Sequence, residues 1–478
     1  MRAKEKFTIL LLGLGSMINS TGSISCVSLA DDAVLLSNDV RNLKHLLFLT
    51  IQYCTKYRVE LVPDKTKLLV FATNEDIELI LYPKLISSIS LYGRELAFSS
   101  EVEHLGIVRS SVPGNMLSIS SRLSAYRRKL YSLMPAGLAL NHHASPAACL
   151  RAERLYAVPV LLSGLGALVL SIAEQKVLYN CHKNLLTRLM KLHKKTPGCA
   201  VYFLAGTLPA PALLHLRQLS ILGMVSRLER NVLKTLGLET LIGSKPSNKS
   251  WFQNIRDLCL MYCLPHPITL LENPLPKSKF NDLCKQKVLQ YWHRKLSLEV
   301  ATLPSLHYLV PQFLPLSQPH PLWSSLDGNP YQTKAACIQA LFLSGRYRTE
   351  RLCRFWSHNK AGICLLPVCK NFNISEDLEH ILLHCVGLSA ERRRLQDFTT
   401  KFISDKPIAK TITSAYLFFA PDNVRMQFLL DCSVLPQVIT AYQSHGPIIH
   451  QQLFRISRTW CRSLHIARMK ALGRYIKI

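Results

Sequence analysis

The sequence predicts an α+β fold: a small region of antiparallel hairpins and one helix, then a longer all-helical region, then a compact Cys/His segment. Three observations predict it. Up to residue 112, short apolar runs alternate with turn signals, the pattern of half-buried strands. From Met116 onward, apolar residues recur at helical spacing. Between 353 and 394, cysteines and histidines gather in close pairs. The chain has 478 residues, of which 48% are hydrophobic, which suits a globular protein and excludes wholesale disorder.

Composition narrows the partners. Lys and Arg number 58 against 30 Asp and Glu, a net charge of +28. A field of that sign concentrates polyanions, so nucleic acid is the leading partner class, although ribosomal, chromatin and membrane-surface proteins share the sign. The 15 cysteines are odd in number and spread through the chain, which fits a reducing compartment better than a disulfide scaffold. Arg2, Lys4 and Lys6 ahead of the apolar run from Phe7 to Leu14 imitate a signal peptide, but no small-residue cleavage site follows. The run from Ala157 to Ile172 is short for a membrane span and carries Pro159, Gly164 and Gly166. The expectation is an intracellular protein, nuclear or cytoplasmic, neither secreted nor in a membrane.

In chain order, Leu12 to Gly15 and Ile18 to Gly22 read as a strand and turn leading to Ser25-Cys26-Val27-Ser28-Leu29-Ala30-Asp31-Asp32-Ala33-Val34-Leu35-Leu36-Ser37. That stretch reads as strand, tight turn, strand, with both aspartates at the tip. Adjacent carboxylates between core-like runs need compensation, which a divalent cation supplies; the plainer reading is a solvated turn. Val40, Leu43, Leu46, Leu47, Ile51 and Cys54 then recur at helical spacing, predicting a helix that covers the sheet. Pro63-Asp64 turns into a strand ending at Phe71, with Lys65 at the turn. Residues 89–96 and 103–108 read as short strands, with a hairpin turn at Gly93-Arg94.

Residues 113–243 read as helices. Ile119, Leu123, Tyr126 and Leu130 line one face of the first, and Arg127, Arg128 and Lys129 charge it. A second is expected from Ala144 to Leu162, and a third from Ala173 to Lys194 with Lys176, Lys183, Arg188 and Lys191. Such helices track a phosphate backbone or simply carry solvated faces. Prolines crowd residues 244–335, which read as a linker with one helical insert from Lys277 to Leu298.

In residues 336–400, Cys364 and Cys369, then His380 and Cys385, form two pairs, each separated by four residues. Thiolates plus imidazole in close pairs suit a tetrahedral structural Zn²⁺ site. Positions five apart on a helix are rotated by about 500°, so the helix is expected to loosen at His384, itself a competing ligand. Residues 401–478 end in a basic amphipathic helix from Leu453 to Ile478, suited to nucleic acid, acidic partners or a membrane surface.

Several of these segments, in one order, resemble the C-terminal part of the reverse transcriptases of non-LTR (LINE-like) retrotransposons. They are Ala30-Asp31-Asp32, Lys65-Thr66 ahead of an apolar strand, His104-Leu105-Gly106, Thr196-Pro197-Gly198 to Leu219, and His380-Ile381-Leu382 with Cys385. Leu29 and His104 stand where the family usually has aromatics. The resemblance implies a partial palm over 1–112, a thumb and connection over 113–243, a zinc-knuckle-like region over 336–400 and a basic tail. It also implies RNA-directed DNA polymerisation by two Mg²⁺ ions, with Asp31 as ligand, Asp32 supporting it and Lys65 near the triphosphate. RNA template and DNA primer would be the partners, with Arg392, Arg393, Arg394 and Trp356 presented to them beside the knuckle. The family's first palm aspartate and its fingers have no room in the thirty residues before the hairpin. The chain alone is therefore expected not to polymerise DNA. The alternatives are a non-catalytic RNA/DNA-binding remnant and a truncated product without a selected role.

Overall fold

The computed structural model describes residues 6–13, 26–29, 32–37, 40–70, 89–104, 107–110, 114–135, 145–229, 232–243, 250–354 and 362–473. The described residues are mostly helical, and the strands among them lie within the first 110 residues. Strands β1 (Lys6–Gly13), β2 (Cys26–Leu29), β3 (Asp32–Ser37), β4 (Glu60–Leu61), β5 (Lys67–Val70) and β8 (Ala97–Phe98) form one sheet in the order β2-β3-β1-β5-β8, with β4 also paired to β1. The expected hairpin is present: β2 and β3 pair antiparallel, with Leu29 opposite Asp32. The rest of the sheet departs from an all-antiparallel reading, because β1 runs parallel to β3, β4 and β5.

Helix α1 (Val40–Tyr57) is the crossover that a parallel arrangement requires. It seals one face of the sheet with Leu43, Leu47 and Cys54 against Leu35, Leu61, Leu68 and Leu91. On the other face, Val34 and Leu69 meet Val102. The alternation of Val34 with Leu35, and of Leu68 with Leu69, is the period-2 signature of strands buried on both sides. Two small hairpins follow, β6 (Ser90–Leu91) with β7 (Arg94–Glu95), and β9 (Glu101–His104) with β10 (Ile107–Ser110). The first turns at Tyr92-Gly93, one residue before the expected Gly93-Arg94. Both turn residues have positive φ (52° and 78°), the geometry that matches the twist of a two-residue hairpin. The run 103–108 is not one strand but divides between β9 and β10.

The helices are α2 (Met116–Ser132), α3 (Pro146–Ala152), α4 (Val158–Leu162), α5 (Ile172–Leu189), α6 (Gly198–Ala205), α7 (Ala210–Ser226), α8 (Val232–Gly243), α9 (Trp251–Met261), α10 (Pro267–Glu272) and α11 (Lys277–Ala301). They continue with α12 (Pro321–Ser324), α13 (Pro330–Leu343), α14 (Glu350–Arg354), α15 (Pro367–Asn371), α16 (Ser389–Ile403), α17 (Pro407–Thr413), α18 (Asp422–Asp431), α19 (Pro436–His445) and α20 (Pro447–Ala471). One continuous apolar core, from Ile119 to Leu464, joins all of these except α14. Between α3 and α4 a π turn (Glu153–Ala157) absorbs Pro159, which has no N–H to continue an α-helical ladder.

Two expectations are corrected here. The proline-rich segment is not a linker: Leu270, Leu271, Phe280, Val288, Trp292, Leu306, Leu322 and Trp323 are buried in the shared core. Pro267, Pro321 and Pro330 are the first residues of α10, α12 and α13, and Pro304 and Pro311 open 3₁₀ turns, positions where the missing N–H costs nothing. The C-terminal helix is also not a surface element. Helix α20 buries Leu453, Phe454, Ile456, Trp460, Cys461 and Leu464 and packs against α13, α16, α18 and α19. Two of its arginines, Arg458 and Arg468, are buried, and two more lie against aromatic rings. Arg458 is buried, donating to the Phe454 carbonyl and to Ser325. Arg455 stacks on Phe402 and Arg462 on Tyr331.

Candidate metal centre and basic face

The Cys/His segment folds around backbone contacts that its sequence supplies. The Cys364 N–H donates to the Ile374 carbonyl at 2.8 Å and the Glu376 N–H to the Gly362 carbonyl at 3.0 Å, clipping two extended stretches together. Pro367 opens α15, whose turn carries Cys369. Asn373, at a φ of 52°, returns the chain through the left-handed region that asparagine tolerates. Asp377 then caps the next helix by accepting the His380 N–H at 2.9 Å.

That helix does not loosen at His384; it widens. Residues His380–His384 form a π turn, and the Cys385 N–H donates to the His380 carbonyl at 2.6 Å. An i to i+5 bond aligns residues five apart, so the π turn removes the angular mismatch of an α-helix and brings His380 and Cys385 to one side. His384 points elsewhere, its Nε2 lying 3.0 Å from an Asp422 carboxylate oxygen and 3.5 Å from one of Glu379.

One ligand atom each from Cys364, Cys369, His380 and Cys385 lies within 4.8 Å of the others, and all four residues are buried. The Cys385 sulfur is 3.9 Å from that of Cys364 and 3.7 Å from that of Cys369. Tetrahedral zinc with Zn–S bonds of about 2.3 Å separates its sulfurs by about 3.8 Å. His380 Nε2 is buried without a hydrogen-bond partner, a lone pair of the kind a metal fills. The hydrogen bond from Cys385, aided by His380, holds the Cys364 thiol down at about 4, while Cys385 is pushed up by the same bond and by burial. The residues fit a metal such as zinc. With four protein ligands and no open position, such a centre is structural.

The knuckle is pinned to the core by a group that sequence reasoning missed. Glu376, fully buried, receives both Arg468 Nε at 2.8 Å and an Arg468 terminal nitrogen at 2.7 Å, and also accepts the Glu350 N–H at 2.7 Å. Nothing in the local pattern marks this pair, because its members stand 92 residues apart. Arg392 is structural too: it donates to the Cys385 carbonyl at 2.6 Å, whereas Arg393 and Arg394 are exposed. On the outer side of the knuckle Leu365, Val368, Phe372 and Val386 stand in solvent beside exposed Lys370. Trp356 lies outside the described residues.

Arg127, Arg128 and Lys129 are all exposed on α2. Helix α5 lies alongside: Arg127 reaches the Cys181 sulfur at 3.5 Å, and Arg188 reaches the Tyr131 hydroxyl at 3.5 Å. Cations of both helices therefore share one face, with exposed Tyr131 on it. Helix α2 has no acidic residue, and the one in α5, Glu174, is buried in the capping box of Ser171, where it also accepts the Asn115 N–H. Beneath the face, buried Glu153 accepts the Tyr126 hydroxyl and lies 3.3 Å from His182.

Asp31 lies outside the described residues, and of Asp32 only its place at the start of β3 is described. Lys65 is exposed, ending a 3₁₀ turn (Pro63–Lys65) just before β5. His104 ends β9, while Leu105 and Gly106 lie outside the described residues. Among the described residues no single helix is long and apolar enough to cross a membrane; α6 and α7 together reach that length but are bent by 63°, and α6 is core. Compared with known proteins, the chain matches no family model, no curated protein and no solved structure.

Proposed function

We propose that this chain binds nucleic acid along the α2–α5 face, as the nucleic-acid-holding portion of a retrotransposon-type RNA-directed DNA polymerase. The observation that carries the binding half is the face that α2 and α5 share, where Arg127 reaches Cys181 and Arg188 reaches Tyr131, with Arg128 and Lys129 exposed on the same turn of α2. The polymerase half rests on the order of the sequence motifs. Cations gathered on one face attract phosphates, and a neighbouring ring adds a platform for a base. The knuckle serves the same partner: its metal fixes a rigid surface on which Phe372 and Lys370 stand out. Titrating the full chain against a labelled oligonucleotide tests this. Affinity should fall steeply with salt, and Arg127→Gln with Arg188→Gln should lower the log–log slope by about 2, one unit per lost phosphate contact. Salt-independent binding, or none, overturns the proposal.

A second reading, catalysis by Mg²⁺ held at Asp31 and Asp32, is favoured by the antiparallel β2–β3 pairing that sets Asp32 opposite Leu29. Primer extension with Mg²⁺ tests it: product that disappears in Asp31→Ala supports catalysis, and no product from the wild-type chain removes it.

A further inference from the structure

Helix α1 is amphipathic toward the sheet, yet its outer face is not the polar surface such a helix normally shows. Phe48, Leu49, Tyr53 and Tyr57 are 54%, 45%, 57% and 56% exposed. Their burial is not needed for the fold, since Leu43, Leu47 and Cys54 already fill the contact with β3, β4 and β5. At about 100° per residue, Leu49, Tyr53 and Tyr57 form a single ridge. A second exposed row, His45, Gln52 and Lys56, separates that ridge from Phe48. The Tyr53 and Tyr57 rings lie 4.5 Å apart, and Lys56 Nζ is 5.5 Å from the centre of the Tyr57 ring. The helix contains no acidic residue.

We infer that this face of α1 is a stacking surface for single-stranded nucleic acid. The polar row narrows the exposed apolar area to the Leu49–Tyr53–Tyr57 ridge, one ring wide, with donors and a cation along its side. Rings flanked by donors and cations match what a single strand offers, free base faces on a phosphate backbone. A duplex keeps its base faces covered, so it has nothing to place on the tyrosines. A second copy of the chain is disfavoured because each carries +28. The inference rests on the nucleic-acid reading above but uses a different surface, so the two fail separately.

The test compares a labelled oligothymidine with a labelled duplex, both titrated with the full chain. Tyr53→Ala with Tyr57→Ala should weaken oligothymidine binding about tenfold or more, since each stacked base contributes roughly a factor of ten. Its salt slope and its duplex affinity should not change, and Tyr53→Phe with Tyr57→Phe should restore binding. Photo-crosslinking of an iodouracil-substituted strand should label Tyr53 or Tyr57. Unchanged oligothymidine affinity in the alanine variant overturns the inference while leaving the α2–α5 proposal standing. Equal loss for both probes also overturns it, as does an acidic helical peptide that binds wild type but not the alanine variant while oligothymidine binding is unaffected. Failure of the wild-type chain to bind either probe overturns both.

Discussion

Replacing Cys369 with serine tests the metal centre most directly. The sulfurs of Cys369 and Cys385 stand 3.7 Å apart, the separation of two ligands on one tetrahedral zinc. Removing one thiolate leaves two sulfurs and one imidazole, and a hydroxyl that ionises far less readily. Zinc present at a thousand times its dissociation constant stabilises the native state by about 4 kcal/mol. For a chain of this size each kcal/mol moves the melting midpoint by about 1 °C, so the variant should melt about 4 °C lower. The assay is metal content by mass spectrometry after dialysis, paired with a thermal melt. Wild type should hold one zinc per chain, Cys369→Ser none, and Cys181→Ser, outside the cluster, should behave as wild type. Because thiolates must lose protons to bind, zinc should also leave as pH falls. A metal-free wild-type protein, or a Cys369→Ser variant with full zinc and an unchanged midpoint, refutes the reasoning.

Three further outcomes follow from buried groups. Arg468→Met strands the Glu376 carboxylate in the core and should cost about 3–5 kcal/mol in urea unfolding, much of it recovered when Glu376→Met is added. Burial, ahead of the charge of Lys295, lowers His215 to about 4. The unfolded chain therefore binds a proton that the folded one refuses, and stability present above about pH 6.5 should fall toward pH 4, by about 1.4 kcal/mol per pH unit for this group. His215→Gln should flatten that slope by one proton. Gly206 ends α6 at a φ of 58°, against the Gln318 carbonyl, so Gly206→Ala should sharply lower the urea midpoint.

What the sequence disclosed and what it hid divide by the range of the interaction. The β2–β3 pairing, α1 and the grouping of Cys364, Cys369, His380 and Cys385 were legible because each is written in residues close along the chain. The π turn was not, because a 3.6-residue period was imposed on a helix that the His380–Cys385 spacing requires to be wider. Prolines misled because one residue type marks both a break and a first helical turn; only the burial of Trp292 and Trp323 distinguishes the two here. The parallel pairing of β1 with β5 was hidden as well, since nothing in an apolar run states the direction of its neighbour.

The same distinction changes how the charge of the chain should be read. A count of +28 treats every arginine as available, yet Arg458 and Arg468 are buried, Arg392 braces the knuckle, and Arg455 and Arg462 lie on aromatic rings. Of these, Arg458 and Arg468 lie inside the C-terminal half and reach no partner without unfolding it. The cations left to meet a polyanion include those exposed on α2 and α5, two helices whose single acidic residue, Glu174, is buried. Helix α20 is a basic helix in sequence and a core helix in structure. Charge-reversal of Arg458 or Arg468 would therefore report on folding, whereas charge substitutions on the exposed face of α2 and α5 test binding. A salt slope that responds to Arg127 and Arg188 while the melting midpoint stays fixed is the signature that separates the two.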